Sequence, residues 1–523
     1  MSITAQGPRR HRPYARWLAI VALAALAGCA TLEPRPPLPV QQALPPGDTT
    51  PLDRTVGAAE QAHPGQSAFR LLREGPEAFA IRARTAQVAE RSLDLQTYIW
   101  NDDGTGTMLA WLLLSAADRG VKVRLLVDDM NARSKNYGFA ALDAHPNIEV
   151  RMFNPFSSRT GTLGYVFEAV GSFERINRRM HNKTWIADNR IALVGGRNLG
   201  DEYFGASEDV NFTDLDFAMV GPVVRDASAS FDKYWNSDSA YPMALLVKAG
   251  TITPEALEKL RGQLSKALEH ADESRYAEEL RNNDAVQRLV SGDWPMSWSA
   301  EYRFVSDDPA KVLGKKSGIG GSQVLEFLWP VLQQVHTSLS VTSPYFVPGE
   351  AGAEGFVAIH RAGADVGILT NSLAANDVAM VYGAYSRARK PLLEGGVKLW
   401  EMKPTPGTKV DSSMFGSSGA SLHTKAFTAD HRATFVGSYN LDPRSTSLNC
   451  EQGVYVVSPE IAATMEQIFA VDTSPEHAWA LSLEDGELRW SDGTKTYDSS
   501  PEASLGRRFQ AGMARALGLD SQL

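Results

Sequence analysis

The chain has 523 residues and a formal net charge of −9. This balance argues against a general polyanion-binding protein, which usually carries an excess of basic residues. Its two cysteines are Cys29 and Cys450. Because Cys29 lies in the N-terminal targeting segment described next, we expect no intramolecular disulfide in the mature fold.

The N-terminal segment has the pattern of an export signal. Four arginines between residues 9 and 16 precede an apolar run at residues 17–27. That run is shorter than the roughly 20 residues a transmembrane helix needs. It ends in Leu26-Ala27-Gly28-Cys29, which resembles the lipobox of bacterial lipoproteins. An ordinary secretory signal that happens to contain a cysteine is the alternative.

The lipobox resemblance implies that residues 1–28 are a lipoprotein signal peptide and that Cys29 is acylated after cleavage. Ala30 follows the cysteine, where an aspartate would resemble an inner-membrane retention signal. We therefore expect a lipid-anchored protein on the periplasmic face of a bacterial cell envelope, at the outer membrane in preference to the inner. The Pro- and Gln-rich residues 29–66 predict an extended tether without a core of its own.

The remaining chain of about 450 residues is long enough for two domains of typical size. Strand and helix patterns alternate in one order in residues 67–250 and again in residues 296–515, with a charge-dense helical connector at 251–295. The first half has strands at 92–100, 121–127 and 148–153 with a helix at 107–118. The second has strands at 338–346, 366–370 and 397–400 with helices near 355–362 and 378–393. This repetition predicts a duplicated α/β fold with mixed or parallel sheets covered by helices.

One motif also occurs in both halves. The pattern H-x-K-x4-D-x6-G-[GS]-x-N spans residues 181–198 and recurs at 423–440. From average residue usage, a chance match is on the order of 10⁻⁸ per starting position. One copy alone could be an ordinary surface hairpin, whereas two copies indicate function.

The motif predicts a hairpin that gathers phosphate-binding groups. His and Lys stand two residues apart, so on a strand both side chains project from one face. The turns at 188–189 and 430–431 bring the Asn of each motif back beside them. Imidazole can act as nucleophile or proton donor, while ammonium and amide groups donate hydrogen bonds to phosphate oxygens. We find no metal-ligand pattern and no nucleotide loop, and therefore expect phosphoryl transfer without a metal or cofactor.

The paired motifs resemble the HKD motifs of the phospholipase D superfamily. Four further runs are similar to its bacterial cardiolipin synthase C-type branch: residues 95–103, 177–183, 194–204 and 343–348. The resemblance covers about residues 67–515. It implies a duplicated phospholipase D-like fold of two α/β/α sandwich halves, with the active site between them.

The resemblance also implies roles for individual residues. His181 would be the nucleophile and His423 the general acid and base, although the sequence itself is symmetric and leaves the choice open. The phosphate-binding residues would be Lys183, Asn198, Lys425 and Asn440. Asp214 and Glu451 would orient the histidines, with Asp216 competing with Asp214 on the same strand face. We interpret Asp188 and Asp430 as structural, because a turn aspartate bonds local backbone amides.

These residues favour a phosphatidyltransferase of the cardiolipin synthase type, which moves a phosphatidyl group through a phosphohistidine to the hydroxyl of phosphatidylglycerol. A phospholipase D that releases phosphatidic acid is the alternative, and a nuclease or an inactive binding module is less favoured. The expected partners are phospholipids and the membrane, with neither nucleic acid nor an obligate protein partner. The aromatic stretch 153–173 and the arginines after it suit lipid access, or else ordinary core packing.

Overall fold

The computed structural model describes residues 35–132, 135–157, 173–376, 378–404 and 422–517. The signal peptide, Cys29 and most of the aromatic stretch 153–173 lie outside these ranges. No helix within them is long and apolar enough to cross a bilayer.

Each half is built on one large mixed sheet. In spatial order, the nine strands described for the first sheet are β8 (Ala240–Pro242), β4 (Ile148–Phe153), β3 (Lys122–Asp128), β2 (Ser92–Thr97), β5 (Thr184–Ala187), β6 (Ile191–Gly195), β7 (Asp216–Val220), β1 (Ser67–Leu72) and β9 (Ser297–Ser299). The ten described for the second are β10 (Tyr302–Ser306), β16 (Gln452–Val457), β15 (Ala433–Gly437), β14 (Ala426–Ala429), β11 (Ser338–Thr342), β12 (Asp365–Asn371), β13 (Lys398–Met402), β17 (Ala478–Glu484), β18 (Glu487–Ser491) and β19 (Thr496–Tyr497).

Seven strands of one sheet match seven of the other in order and direction. The run β4-β3-β2-β5-β6-β7-β1 corresponds to β13-β12-β11-β14-β15-β16-β10. The first three strands of each run are parallel, and the following strands pair antiparallel. The parallel strands are largely buried and are joined by helical crossovers, as parallel pairing requires. The predicted duplicated α/β fold is confirmed.

Helices cover the sheets. The α-helices of the first half and of the segment after it are Pro51–Ala62, Gly75–Val88, Gly104–Asp118, Asp129–Ala132, Asn136–Asp143, Phe173–Ile176, Asp201–Phe204, Pro222–Asn236, Pro254–Ala267, Arg275–Asn282 and Asp284–Ser291. Those of the second half are Gln323–Gln333, Gly349–Arg361, Ala379–Tyr385, Arg389–Glu394, Pro443–Ser447, Pro459–Asp472 and Leu505–Leu517. Short 3-10 turns occur at Met243–Leu245, Ala271–Glu273 and Pro309–Leu313.

A shared apolar core joins the halves. Phe217 and Phe231 of the first half lie in one buried cluster with Val436, Val454 and Met465 of the second. Each half has a further core of its own on the other side of its sheet. Because burial of apolar surface is the main stabilising term, this joint core fixes the halves against each other.

The N-terminal strap, residues 35–62, differs from the predicted tether. Residues 35–49 run along the first half, where Arg35 donates to the carbonyls of Asn236 and Ser237 at 2.9 Å. The helix Pro51–Ala62 follows, with a capping box between Thr50 and Asp53. From Arg35 onward the prediction of a free tether is therefore wrong: polar bonds and a buried Asp53 anchor this segment, although it lacks an apolar pattern.

Candidate active site

The two motif histidines lie where the halves meet. His181 donates its backbone N–H to the carbonyl of Cys450 at 2.9 Å, and His423 donates its own to Thr213 at 2.8 Å. Parallel bridges join Met180 to Cys450 and Thr213 to Leu422. Strands β5 and β14 begin only at Thr184 and Ala426. The strands that the hairpin prediction expects at residues 181–187 and 422–428 therefore begin later than predicted, because the residues before them pair with the opposite half instead of their own sheet.

Each histidine is hydrogen-bonded to a carboxylate of the other half. His181 Nδ1 lies 2.9 Å from Glu451 Oε2, and His423 Nδ1 lies 2.6 Å from Asp214 Oδ2. His181 Nδ1 is also 3.0 Å from the Ser438 carbonyl, which can only accept a hydrogen bond. Nδ1 of His181 therefore carries a proton, and the carboxylate beside Nδ1 of His423 favours the same tautomer, which leaves each Nε2 for a ligand. The competing Asp216 is instead paired with Arg82 at 2.9 Å.

The carboxylate of Glu451 is held by hydroxyl groups. Ser438 Oγ donates to Oε2 at 2.5 Å and Ser445 Oγ donates to Oε1 at 2.8 Å. Burial alone raises the pKa of Glu451, but His181 and these donors outweigh it, so the pKa stays below its ordinary value. Glu451 is thus ionised and favours a positive charge on His181.

A buried ion pair supports Glu451 from behind. Asp307 Oδ2 accepts the backbone N–H of Glu451 at 3.1 Å and the ammonium of Lys311 at 2.7 Å. Lys311 also donates to the carbonyl of Ser445 at 2.8 Å. The ammonium of Lys311 therefore holds both Asp307 and Ser445, each of which bonds Glu451. Asp307 and Lys311 lie outside the two repeated motifs, so the sequence pattern did not identify them. An Asp and a Lys four apart beside an apolar segment were the available signal.

Asp214 has a different environment from Glu451. It accepts the backbone N–H of Leu215 at 2.8 Å. A Cβ at Gly196 would overlap its carboxylate oxygen. Gly196 and Ser438 occupy the same motif position, so one half leaves room for its carboxylate where the other supplies a hydroxyl. Burial raises the pKa of Asp214, with Lys425 and Arg197 opposing the shift.

The lysines are buried beside the histidines. Lys183 Nζ donates to the carbonyl of His181 and Lys425 Nζ donates to that of His423, each at 2.5 Å. Burial lowers the pKa of Lys183 to about 7, with Glu451 opposing and the charge of Lys425 reinforcing the shift. Two buried ammonium groups this close favour an anion between them.

The same crowding lowers the histidine pKa values. Burial lowers the pKa of His181, with Glu451 opposing and Lys183 reinforcing the shift. The pKa of His423 is held well below its ordinary value by burial and by the charges of Lys425, Lys183 and His181. The bonds of His181 and His423 to carboxylates of the opposite half, and of each lysine to its histidine carbonyl, bring all four residues together at the junction of the halves. A phosphodiester anion beside these residues would be stabilised by the ammonium groups and would favour the protonated form of the histidines.

The motif asparagines are not equivalent. Asn198 accepts the backbone N–H of Ile99 at 3.2 Å and donates to the hydroxyl of Tyr203 at 2.8 Å. The side-chain oxygen of Asn440 is buried with no hydrogen-bond partner among the described residues. Because phosphate oxygens accept hydrogen bonds, the amide N–H groups decide the comparison: Asn198 already donates one of them to Tyr203, which favours Asn440 as the donor to a ligand.

Aromatic rings fix the histidines from the side, and sequence reasoning missed them. Tyr98 meets His181 edge-on with ring centroids 5.2 Å apart. Tyr203 meets His423 edge-on at 5.3 Å, and Phe212 stacks on the same imidazole at 5.6 Å. These contacts exclude water from the imidazole faces and limit their rotation.

The motif aspartates lie at the hairpin turns, at φ values of 50° and 51°. Asp188 accepts the backbone N–H groups of Arg91 at 2.8 Å and Ser92 at 3.0 Å. Asp430 accepts that of Thr337 at 2.7 Å. The amides belong to the start of β2 and β11, and not to the turn itself as predicted. Each aspartate thus joins its hairpin to the central strand of its sheet.

A second equivalent pair holds the residue before each histidine. Asp128, the last residue of β3, accepts the N–H of Met180 at 2.8 Å. Asn371, the last residue of β12, accepts the N–H of Leu422 at 3.2 Å. The near-constant offset between the halves was the signal that could have identified them.

The described part of the predicted lipid-access region is largely buried. Phe153 and Phe156 are buried in the core, and Arg179 is buried with its guanidinium over the ring of Phe156 at 4.7 Å. For these residues ordinary core packing is the correct alternative. The intervening residues 158–172 lie outside the described part of the chain.

Known proteins share this arrangement. Residues 83–235 and 328–473 match the family described as cardiolipin synthase, PLD-like domain. Cardiolipin synthase C of Escherichia coli (strain K12) is 43% identical over 437 residues, which are 82% of this chain and 90% of that protein. A cardiolipin synthase of Halalkalibacterium halodurans is 24% identical, over 79% of this chain and 67% of that protein.

A solved structure has the same fold. Phosphatidylserine synthase of Haemophilus influenzae Rd KW20 covers 90% of this chain and 100% of its own, with a TM-score of 0.55 and 14% identity. The matched halves and the paired histidine motifs define an enzyme of the phospholipase D superfamily. Within that superfamily, the chain belongs to the cardiolipin synthase, PLD-like domain family.

Proposed function

We propose that the protein is a phosphatidyltransferase of the cardiolipin synthase type, which transfers a phosphatidyl group through a phosphohistidine to a hydroxyl of phosphatidylglycerol. The observation that carries the proposal is the crossed pairing of His181 with Glu451 and of His423 with Asp214. It leaves the Nε2 atom of each imidazole for a ligand, with Lys183 and Lys425 bonded to the carbonyls of the same two histidines. Family membership supports the reaction class.

In the first step, Nε2 of His181 attacks the phosphorus of the donor lipid. A P–N bond forms, and the bond from phosphorus to the headgroup oxygen breaks. The anionic phosphodiester favours a second proton on His423, at Nε2. The imidazolium gives this proton to the leaving oxygen, so that an alcohol departs. The ionised Glu451 stabilises the positive charge that develops on His181, which supports His181 as the nucleophile.

In the second step, the hydroxyl of phosphatidylglycerol gives its proton to Nε2 of His423. Its oxygen attacks the phosphorus, the P–N bond breaks and His181 is released neutral. The proton balance closes because His423 loses one proton in the first step and regains one in the second. Lys183, Lys425 and Asn440 would hold the non-bridging oxygens in both transition states.

We further propose that the N-terminal signal and Cys29 anchor the enzyme at the periplasmic face of a bacterial envelope, with the outer membrane favoured. The lipobox-like sequence supports this placement. A tethered enzyme would meet its lipid substrates in the plane of the bilayer. A Cys29→Ser chain that still partitions fully with membranes through its N-terminus would contradict the lipoprotein assignment.

Hydrolysis is the second candidate, because His423 could deprotonate water as readily as an alcohol. Purified protein in detergent, given labelled phosphatidylglycerol with or without phosphatidylethanolamine, separates the two. We expect labelled cardiolipin, whereas phosphatidic acid as the sole product would identify a hydrolase. His181→Ala and His423→Ala should each abolish both products. The exposed His270, in the connector, provides the control variant His270→Ala, which should keep full activity.

A further inference from the structure

The C-terminal helix Leu505–Leu517 exposes its large apolar side chains. Leu505, Phe509 and Met513 are 85%, 68% and 47% exposed. They are four residues apart and therefore follow one face of the helix. We call these three side chains the apolar strip. A surface helix ordinarily turns such residues toward the core, so the strip requires an explanation.

The opposite face of this helix is fixed by small residues. Ala511 and Ala514 are buried against the helix Ala379–Tyr385. A Cβ at Gly383 would lie 2.5 Å from the Ala511 carbonyl and 2.9 Å from the Ala514 Cβ, so the helices approach closely. Rotating the helix to bury the strip would force Leu, Phe and Met side chains into a contact that has space for alanine.

The strip lies at the same edge of the second sheet as the active site. Arg507 donates to the carbonyls of Leu373, at 3.0 Å, and of Asn376. These residues directly follow β12, whose last residue, Asn371, bonds the residue before His423. The carboxyl end of β12 therefore joins the helix and the catalytic motif on one side of the molecule.

The exposed charges on the helix itself are positive. Residues 505–517 contain Arg507, Arg508 and Arg515 and no acidic residue, in a chain whose formal charge is −9. Arg508 and Arg515 are exposed and lie between the strip and the packed face. Apolar side chains flanked by arginines on an exposed helix match an anionic lipid surface. The strip is only one side chain wide, so its apolar area is smaller than the area that a stable dimer buries.

We propose that the apolar strip inserts into the interfacial region of an anionic phospholipid bilayer and turns the mouth of the active site toward it. This inference rests on the proposed function, because it takes the substrates to be lipids. The contact is separate from the N-terminal anchor. The anchor would keep the enzyme near the membrane, while the strip would set its orientation.

A dye beside the strip tests this contact locally. Gln510→Cys in a full-length Cys29→Ser chain provides one exposed thiol, because Cys450 is fully buried and burial raises its pKa. Asp365→Cys, at the opposite end of β12, is the control position. With phosphatidylcholine vesicles containing phosphatidylglycerol, we expect the fluorescence of a dye at position 510 to shift to the blue and to be quenched from the lipid. A dye at position 365 should show neither effect. High salt should weaken both effects at position 510.

Substitution of the strip provides a second measurement. Leu505→Ser, Phe509→Ser and Met513→Ser together should weaken binding to these vesicles about tenfold and raise the KM for lipid in vesicles. Activity on short-chain lipid in detergent should be unchanged. The matched control replaces three exposed apolar residues elsewhere with serine: Leu245, Val290 and Leu313. It should leave both properties unchanged.

Each remaining outcome would overturn the inference. Equal shifts at positions 510 and 365, or none, would show that no specific face meets the bilayer. A blue shift without vesicles that grows with protein concentration would assign the strip to a second copy of the chain. A blue shift without vesicles that is independent of protein concentration would mean that another part of the chain covers the strip. Failure of the proposed function would appear in the product assay and leave the dye result intact.

Discussion

His181 in the first half and Glu451 in the second share a hydrogen bond of 2.9 Å, although 270 residues separate them in the chain. The reciprocal bond, 2.6 Å long, joins His423 to Asp214. Neither half therefore contains a complete histidine–carboxylate pair. The duplicated fold yields one active site because each half supplies the partner that the other needs.

Removing the charge of Glu451 should slow catalysis more than it weakens binding. In Glu451→Gln, we expect kcat to fall roughly a thousandfold with a small change in KM, because the orientation and charge of His181 matter mainly in the transition state. Steady-state kinetics of cardiolipin formation measure both constants. The control is Glu466→Gln, which affects an exposed histidine pair with His431. An unchanged kcat in Glu451→Gln would remove the crossed pair from the mechanism.

Filling the space at Gly196 should disturb Asp214. In Gly196→Ala the new methyl group overlaps the Asp214 carboxylate, so we expect a loss of about 2 kcal/mol of stability and at least a tenfold loss of kcat. Gly138→Ala is the matched control, since a Cβ there meets nothing within 4 Å and its helix gains from alanine. Thermal unfolding and activity are compared. Equal melting temperatures in the two variants would contradict the close contact.

Asp307 should stabilise both the fold and the site. Asp307→Asn leaves Lys311 buried without a counter-charge, which costs about 3–5 kcal/mol. Urea unfolding measures the loss, and kcat should fall because Glu451 and Ser445 lose their support. Asp365→Asn breaks an exposed pair with Lys398 and should change stability by less than about 1 kcal/mol. Similar losses in both variants would show that the buried pair is not special.

The pH dependence of kcat/KM should reflect His423, Lys183 and His181. His423 must be protonated to donate, and its pKa lies well below 6.5, so kcat/KM should already decline in that range as pH rises. Lys183 must be protonated to bind phosphate, and its pKa is about 7, so the decline should steepen as pH rises through that value. His181 must be neutral to attack, and its pKa lies below 6.5, so the acid-side loss should begin only beneath that value. Lys183→Arg, which stays charged, should move the alkaline fall upward. A wild-type kcat/KM that still rises from pH 7 to 9 would contradict this assignment.

Much of the fold follows from local sequence patterns. The two strand–helix–strand series, the hairpin turns at Asp188 and Asp430 and the nearly equal spacing of the halves depend on short segments that repeat. The same repetition identified His181 and His423 as one site. Local periodicity carries this information because each element is chosen mainly by its own residues.

The features missed in the sequence depend on contacts between distant segments. Alternation predicts that β5 begins at His181, yet that residue pairs with the other half, since docking of the halves outweighs local preference. The crossing of the carboxylates also follows only from that docking. Asp307, Lys311 and the strap at residues 35–62 are held by polar bonds to distant residues, which no periodicity reveals.

In the proposed mechanism His181 carries the phosphatidyl group while His423 moves protons. A phosphatidyl ester with a nitrophenol leaving group tests it, because this leaving group departs without a proton donor. His423→Ala should release one equivalent of nitrophenol per chain and then stop, with the phosphatidyl group on His181 by mass spectrometry. His181→Ala should give no burst. A burst in His181→Ala, or a modified residue other than His181, would contradict the account.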